Sequence, residues 1–361
     1  MRKNVSAFLV FLFIAMAFSF VGCKKQASTT SSAAKTPVAS APATTAQPVA
    51  KASEPTKQAD VKAIVFRVGH KSSANSSWQK GAEYWGKLLE EKSNGTMKIE
   101  VYPNSQLGDQ KEMTEMAQLG VLDVVLNAPA TLSNFMKDIS ALDLPFLFRN
   151  YQHAFDCMDS CVLDYYAKEY ESIGLVCLSN WDTGFKNLSN SRRPLKSISD
   201  IKGLKIRYAG GAALSGTIEI LGASAVSIPW SETYIALSQG TADAQFNPAS
   251  TMVESKIHEV QKYYSNIPIQ YGAEPVTMSL KTWKKLTPEQ QKIVRETCIE
   301  AGKYQREVSQ QMDKDALKTM IDYGCVYTEV TPEVLKQIQE ATSPLLQKYC
   351  PADLLKAIQA R

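Results

Sequence analysis

One segment, residues 200–250, constrains the fold most, because short apolar runs alternate in it with stretches of helical spacing. The apolar runs at 204–208 and 225–229 predict strands, and the helical stretches that follow them end at Gly222 and Gly240. Strands that alternate with helices of this length pair in parallel through helical crossovers. The segment therefore predicts an α/β fold in which helices cover a sheet.

Arg207, Trp230 and Asn247 come at the ends of the predicted strands, where the ligands of α/β folds bind. Arg207 is soon followed by Gly210 and Gly211, which allow a sharp turn into the next helix. A guanidinium offers a planar pair of donors that matches a carboxylate, and free N–H groups at a helix start add to it. These residue types leave two possibilities open, an anion site and a surface arginine paired with a neighbouring acid.

Several ordered motifs connect this segment with the rest of the chain. Within it lie DIKGLKIR, LGA, IPWSETYIALSQG and ADAQFNP, at residues 200–207, 221–223, 228–240 and 242–248. Upstream lie YPNSQLGDQKEM, LDLPFLFRNYQHA and WDTGFKNLSNSRRPLKS, at residues 102–113, 142–154 and 181–197. With these motifs the chain resembles, over residues 63–345, the solute receptors of TRAP (tripartite ATP-independent periplasmic) transporters, the DctP-type family.

The resemblance implies a two-lobed, periplasmic-binding-protein-like α/β fold with a hinge and a long C-terminal helix that spans both lobes. Lobe I is then expected to comprise residues 61–183 and 273–312, and lobe II residues 184–272 and 313–361. Receptors of this family capture a small carboxylate-containing solute and deliver it to the membrane permease subunits of a TRAP-type secondary transporter. Neither a cofactor nor a metal ion is expected.

The resemblance also implies five ligand-binding residues. Arg207 matches the arginine that clamps the solute carboxylate, and Asn247 matches an asparagine that contacts the solute from the second lobe. Trp230 takes the place of an aromatic residue that packs on the solute, and Lys186 takes that of a second arginine. Lys186 keeps the positive charge of that arginine but lacks its paired donors. Asn127 falls where some relatives place a polar or acidic side chain.

Three further residues complete the expected site: Tyr208, Gln245 and His70. Tyr208 directly follows the arginine, and Gln245 lies in the same motif as the asparagine. His70 ends the first predicted strand, which places it at the expected edge of the cleft. A plain loop histidine is the alternative for His70, as a core tryptophan is for Trp230.

The beginning of the chain has the pattern of an export signal. Residues 1–22 combine a basic start, a short apolar run and a small residue before Cys23, which indicates a signal peptide. Cys23 stands where bacterial lipoproteins carry a lipid-modified cysteine, although Phe20 takes the place of the usual leucine. Residues 23–60, rich in Ala, Ser, Thr and Pro, predict a disordered tether. We expect a periplasmic lipoprotein held on a membrane by acyl chains, and an uncleaved membrane helix is the alternative.

Charge and residue types argue against several other functions. The net charge of +4 comes from dispersed residues, so nucleic acid is not an expected partner. None of the three histidines fits a catalytic pattern, and His153 and His258 are expected on helix surfaces. No histidine or second cysteine pair completes a metal site with Cys157 and Cys161. The expectation is a binding protein without catalytic residues. The alternatives are a secreted α/β enzyme that acts on a small organic acid and a surface lipoprotein that binds a protein partner.

A single long helix is predicted in the last third of the chain. Thr287 and Pro288 form a favourable helix start, and no further proline occurs before Tyr323. A helix of this extent has ~36 residues and is ~54 Å long. The alternative is two helices that are broken near Gly302.

Overall fold

The computed structural model describes residues 63–361, and the predicted signal peptide, Cys23 and the tether lie outside the described residues. The strands of the described part are β1 Ile64–Gly69, β2 Met97–Tyr102, β3 Val124–Leu126, β4 Leu175–Asn190, β5 Lys205–Tyr208, β6 Ser224–Ser227, β7 Ala244–Asn247, β8 Tyr263–Ser279 and β9 Val326–Thr328. Its α-helices are α1 Ser77–Lys92, α2 Gln110–Leu119, α3 Pro129–Leu132, α4 Tyr151–Met158, α5 Cys161–Ser172, α6 Ala212–Ile220, α7 Thr233–Ser238, α8 Ala249–Glu254, α9 Leu280–Trp283, α10 Pro288–Tyr323, α11 Pro332–Thr342, α12 Pro344–Tyr349 and α13 Ala352–Gln359. Short 3-10 helices lie at Lys137–Asp143, Ile198–Ile201, Trp230–Glu232 and Ile257–Glu259.

One mixed sheet connects the strands, in the order β2-β1-β3-β8-β4-β7-β5-β6, with β9 paired to β8. β1 pairs in parallel with β2 and β3, and β5 pairs in parallel with β6 and β7. The long strands β4 and β8 lie between these two parallel groups and pair with each other in antiparallel. The α/β class predicted from strand–helix alternation is therefore confirmed, and the β4–β8 pair joins the two groups, with β8 next to β3 and β4 next to β7.

Both central strands are longer than their apolar runs indicate. The run at 175–181 predicts a strand, but β4 continues to Asn190. β8 passes through Pro268, a residue that normally ends a central strand. Pro268 lies where the register shifts between the pairs Lys186–Gln270 and Leu188–Ser265. Proline lacks a backbone N–H, but at such an irregularity no regular hydrogen bond between β4 and β8 is lost, so the strand continues.

A second register shift, between Asp182 and Gly184, interrupts the pairing of β4 with β8 near the middle of both strands. Gly184 has a φ of 87° there, a value that residues with a Cβ rarely adopt. Irregularities of this kind bend a strand and increase its twist. Their position coincides with the predicted lobe boundaries at 183/184 and 272/273, which themselves stay a prediction.

The last helices of the chain return to its first half. Ile358 of α13 lies in the same buried apolar cluster as Val162 and Tyr166 of α5. His153 of α4 is buried, with its Nδ1 accepting a hydrogen bond from the Arg149 N–H at 3.0 Å and its Nε2 within 2.9 Å of the Ile358 carbonyl oxygen. The expected surface position of His153 is therefore wrong, because the residues that cover it come from the far end of the chain.

Helix α10 runs unbroken from Pro288 to Tyr323, so one long helix is confirmed and the two-helix alternative is wrong. The Thr287 hydroxyl accepts a hydrogen bond from the Gln290 N–H at 3.3 Å and caps the first turn. Gly324 ends the helix in the left-handed conformation, with a φ of 106°. α10 packs against α1 and β4 and also against α8. No helix within residues 63–361 is long and apolar enough to cross a membrane.

Gly302 allows α10 to lie directly on β4. A Cβ at this position would lie 2.9 Å from Cδ1 of Trp181, which is fully buried. We expect Gly302→Val to lower the free energy of unfolding by about 2–3 kcal/mol, because the surrounding core is already filled. Urea unfolding measures the loss. The matched control Lys303→Val, on the exposed side of the same turn, should cost less than about 1 kcal/mol. Equal losses for the two variants would contradict the close packing.

Candidate functional site

A cavity lies where the chain segments after β1 and β5 meet β7 and the middle of β4 and β8. The cavity has a volume of about 50 Å³. Its lining includes the predicted site residues Arg207, Trp230, Lys186, Asn247 and Tyr208. The sequence thus placed these residues together, although they come from three strands and a 3-10 helix.

Arg207 reaches the cavity from β5 and is only 7% exposed. Its Nε–H donates a hydrogen bond to the Ile228 carbonyl oxygen at 2.9 Å, while its buried Nη2 has no partner among residues 63–361. Burial lowers the pKa of Arg207 to about 10, and no neighbouring acid contributes to that shift. Arg207 is therefore a buried cation with a free donor, and not a surface arginine paired with an acid.

Two glycines bring the segment after β5 close to the opposite side of the cavity. A Cβ on Gly210 would lie 3.1 Å from the Ala130 carbonyl oxygen, and one on Gly211 would lie 3.3 Å from the Ser140 Cβ. Both glycines also have positive φ values, 140° and 85°. The absence of side chains at these two positions therefore allows the approach between the two walls.

Trp230 lies between two cations. The Cζ atom of Arg207 is 5.4 Å from the centroid of its ring, and the Nζ atom of Lys71 is 5.8 Å away. Lys71 also lies 5.3 Å from the ring centroid of Trp78. Aromatic faces attract cations through the negative charge of their π system. Trp230, which is half-buried, thus lines the cavity on one side while it also packs against the buried apolar cluster that includes Ile228 and Leu237.

Lys71 is a lining residue that the sequence analysis missed. It lies two residues after the end of β1 and directly follows His70, and this position at the carboxyl end of a strand is the signal that could have found it. Burial lowers the pKa of Lys71 to about 8. The positive charges of Lys186 and Arg207 lower this pKa further, whereas the negative charge of Glu274 raises it. The cavity therefore holds three basic side chains that influence one another.

Two buried acids, Glu274 and Asp143, were also missed. Each is 1% exposed. Burial raises the pKa of Glu274 to about 8 and that of Asp143 to about 6, while Lys71 and Lys186 lower both values. Oδ1 of Asp143 accepts a hydrogen bond from the Gln270 amide. Within the described part of the chain, Asp143 Oδ2 and Glu274 Oε2 are buried without a partner, and of these two acids only Glu274 lines the cavity.

Three predicted site residues, His70, Asn127 and Gln245, do not line the cavity. All three are fully buried. Oδ1 of Asn127 accepts a hydrogen bond from the Thr114 hydroxyl at 3.0 Å, and its amide donates to the Thr277 hydroxyl at 3.1 Å. These contacts occupy the Asn127 side chain with protein groups, and its role at the site is to support the wall.

Gln245 positions a residue that does line the cavity. Its Oε1 accepts a hydrogen bond from the amide of Asn247, and its own amide donates to Ser189 Oγ at 2.9 Å. Asn247 itself is 8% exposed. Gln245 therefore acts on the site through Asn247.

A mixed α/β sheet with buried cations that face a cavity is the arrangement expected of a protein that binds an anionic solute. The family model of DctP, bacterial extracellular solute-binding protein family 7, matches residues 68–352. The chain belongs to this family, and it is a periplasmic solute receptor of the TRAP transporter class, as the sequence motifs predicted.

Individual relatives agree with this assignment. The 2,3-diketo-L-gulonate-binding periplasmic protein YiaO of Escherichia coli is 30% identical over 297 residues, which cover 81% of this chain and 90% of YiaO. The sugar acid binding protein DctPAm of Advenella mimigardefordensis, solved with galactonate, is 25% identical with a TM-score of 0.79, covering 83% of this chain and 97% of that one. A TRAP receptor of Sulfurospirillum deleyianum with bound succinate is 30% identical with a TM-score of 0.77, and the match covers 83% of this chain and 99% of that one. The two-lobed fold with its long C-terminal helix is thereby confirmed.

His70 is expected to stay neutral well below its usual pKa. Its Nε2–H donates to Gln79 Oε1 at 3.0 Å, and burial lowers its pKa from 6.5 to about 4. Because the unfolded chain binds the proton first, the folded state loses stability as the pH falls from about 6.5 to about 4. Urea unfolding measures the decrease in the free energy of unfolding between pH 7 and pH 5. We expect this decrease to be smaller in His70→Gln by up to about 2 kcal/mol. A His70 imidazole resonance that titrates near pH 6.5 would contradict this placement.

Proposed function

We propose that this receptor binds a small solute through a carboxylate group, with Arg207 as the principal contact. The observation that carries the proposal is the buried Nη2 of Arg207, which has no partner within the described residues. Since Ile228 occupies the Nε–H, a carboxylate would meet the two Nη groups. A buried charge without a partner is strongly unfavourable, so an anionic solute stabilises the site. The ligands named for the relatives above, 2,3-diketo-L-gulonate, galactonate and succinate, are all carboxylates.

Four other lining residues complete the contacts of the carboxylate end. Trp230 provides an apolar face for the carbon chain next to Arg207. Lys186 adds a positive charge, and its ammonium group attracts a carboxylate without the fixed geometry that the paired donors of an arginine require. Tyr208 follows Arg207 in β5, Asn247 lies two residues beyond Gln245, the β7 partner of Arg207, and both supply polar groups for orientation.

Solute binding favours closure of the two lobes. The lobes are residues 61–183 with 273–312 and residues 184–272 with 313–361, and the hinge is the register shift of β4 against β8. A solute that contacts both lobes binds the closed state more tightly and increases its population by that difference in affinity. The closed, loaded form is the one that the membrane permease subunits recognise.

The receptor acts by binding and release, without a catalytic step or a cofactor. The family to which it belongs consists of solute-binding proteins, which supports this proposal. A secreted α/β enzyme would convert the bound acid, so a turnover assay on each acid that raises the melting temperature distinguishes the two functions. A surface lipoprotein for a protein partner would show no such rise with any of them.

We further propose that the mature chain begins at Cys23 and is anchored to a membrane by acyl chains on that residue. The basic start, short apolar run and small residue before Cys23 support this proposal. Residues 24–60 then act as a flexible tether, which lets the receptor reach the permease without leaving the membrane surface.

Arg207→Ala is expected to weaken binding by roughly 30- to 4000-fold, because it leaves the buried carboxylate without its partner, at a cost of about 2–5 kcal/mol. Arg207→Lys should recover little, since an ammonium cannot present two parallel donors. Calorimetry measures both variants with whichever of 2,3-diketo-L-gulonate, galactonate and succinate raises the melting temperature of the unchanged protein most.

Arg192→Ala is the matched control for these variants. Arg192 lies in the same lobe, forms an ion pair with Asp243 at 2.8 Å and does not line the cavity. Its replacement should leave the affinity unchanged. Full affinity in Arg207→Lys would contradict the carboxylate clamp.

Cys23→Ala is expected to move the protein from the membrane fraction to the soluble periplasmic fraction, because the acylated thiol is the anchor. Fractionation followed by immunoblotting measures the shift. Cys161→Ala, which removes a thiol within the folded part, should stay on the membrane. Membrane association that persists in Cys23→Ala would show that residues 1–22 remain as a membrane helix.

A further inference from the structure

One base and one acid, Lys71 and Glu274, line the same cavity as Arg207. Lys71 comes from the segment after β1, and Glu274 comes from β8. Each of the two influences the charge of the other, so they lie within electrostatic reach. No ion pair joins them within residues 63–361. We call these two side chains the lysine–glutamate pair.

The carboxyl group of Glu274 is poorly suited to a negative charge. The residue is 1% exposed, and its Oε2 is buried without a hydrogen-bond partner in the described part of the chain. A buried negative charge without a partner is strongly unfavourable, and protonation removes that charge. In agreement with this placement, burial raises the pKa of Glu274 to about 8, while the charges of Lys71 and Lys186 lower it.

Lys71 lies against two aromatic rings and close to two other cations. Its Nζ atom is 5.3 Å from the ring centroid of Trp78 and 5.8 Å from that of Trp230. Burial and the charges of Lys186 and Arg207 lower its pKa to about 8. Both members of the lysine–glutamate pair therefore change protonation in the same pH range. Because the two groups interact, a gained proton belongs to the pair as a whole.

A solute carboxylate held at Arg207 adds a negative charge to this cavity. Such a charge favours the protonated form of an acid and of a base alike, so it raises the pKa of both Glu274 and Lys71. Two carboxylates that share one cavity are not both ionised unless the pH is high, since like charges repel each other. The solute therefore binds more tightly to the form in which the lysine–glutamate pair carries the additional proton.

Four other titratable side chains line the cavity, and they are Lys186, Arg207, Tyr208 and Glu254. Burial lowers the pKa of Arg207 to about 10, so this cation remains mostly charged up to about pH 9. Burial raises the pKa of Glu254 to about 7, and the charge that opposes this shift is that of Lys80, which does not line the cavity. Arg207, in contrast, acts directly on Lys71. The lysine–glutamate pair is thus coupled to the carboxylate clamp more closely than Glu254 is.

Two further acids, Asp143 and Asp182, influence Glu274 from buried positions that do not line the cavity. Burial raises the pKa of Asp143 to about 6 and that of Asp182 to about 7. Asp143 accepts a hydrogen bond from the Gln270 amide, and Asp182 Oδ2 accepts one from the Tyr271 hydroxyl at 3.2 Å. Both carboxylates are thus engaged by protein groups and do not face the solute.

We propose that the receptor binds a proton together with the solute carboxylate, and that the lysine–glutamate pair holds this proton. The proposal rests on the proposed function, because Arg207 must place a carboxylate in the cavity. It adds the proton as a second ligand of the same site. Proton uptake on binding means that the affinity for the solute falls as the pH rises, chiefly above about pH 7, where the empty pair begins to lose its proton.

Calorimetry in two buffers counts the proton. The acid is whichever of galactonate and succinate raises the melting temperature more, because both are ionised between pH 7 and pH 9. At pH 8 we expect an uptake of roughly half a proton to one proton per solute. Binding should then release less heat in Tris than in HEPES, since Tris requires more heat to give up a proton. Equal heats in the two buffers would overturn the proposal.

The affinity for the same acid should fall roughly 5- to 50-fold between pH 7 and pH 9. Lys71→Arg combined with Glu274→Gln fixes the charges of the protonated pair, because arginine stays charged and glutamine stays neutral. In this double variant the ratio of the affinities at pH 7 and pH 9 should be less than about threefold. A general loss of affinity would not produce this result, since the ratio compares one variant with itself.

Lys303→Arg combined with Glu300→Gln is the matched control, because it makes the same two changes at exposed positions of α10. This control should keep the full ratio between pH 7 and pH 9. If the double variant of the cavity does not bind the acid, Glu274→Gln alone is measured at pH 8, where it should reduce the proton uptake by about half.

The outcomes separate this inference from the proposed function. If the acid binds equally well at pH 7 and pH 9, or if the double variant keeps the full ratio, only this inference is wrong. Loss of the ratio in Glu254→Gln, but not in the double variant, would assign the proton to Glu254 and likewise overturn the inference. If neither acid binds at pH 7, the carboxylate receptor is itself refuted, and the inference with it.

Discussion

The antiparallel pairing of β4 with β8 is the constraint on which the rest of the structure depends. Of these two strands, β8 pairs with β3 of one parallel group and β4 pairs with β7 of the other, so their mutual pairing joins the two groups into one sheet. Glu274 and Lys186 extend into the cavity from this pair, on either side of the shift at Gly184. A continuous ladder would hold the two groups rigidly together, whereas irregular registers allow bending without breaking the sheet. Helix α10 packs along β4.

The pairing of β4 with β8 also brings charged side chains together in the cavity, from which water is displaced in the closed state that we propose. Lys71, Lys186 and Arg207 enter one cavity, and burial lowers the pKa of both Lys71 and Arg207. Burial raises the pKa of Glu274 and Asp143, so both acids and bases are held under conditions that disfavour their charged forms. An apolar cavity of the same size would be cheaper to form but could not distinguish one acid from another.

The sequence predicted the α/β class, the long helix and the position of Arg207 because each depends on local patterns at strand and helix ends. Two of its other site residues lie one position from residues that line the cavity, since His70 precedes Lys71 and Asn127 precedes Ala128. Successive side chains of extended backbone point to opposite sides, so a shift of one residue moves a side chain behind the wall. Glu274 could not be found in this way, because its lysine neighbours are distant in sequence and only the folded sheet brings them near.

The buried cations account for the coupling that we propose between anion binding and closure. In an open cleft, water solvates Arg207, Lys186 and Lys71, and their mutual repulsion is screened. Closure without a solute removes that water while leaving Nη2 of Arg207 without an acceptor, so the empty closed state is disfavoured. A carboxylate supplies the acceptor and the opposite charge at once, and therefore binds the closed state better than the open one. Because a ligand shifts an equilibrium only by its difference in affinity between the two states, the unpaired arginine sets the strength of the coupling.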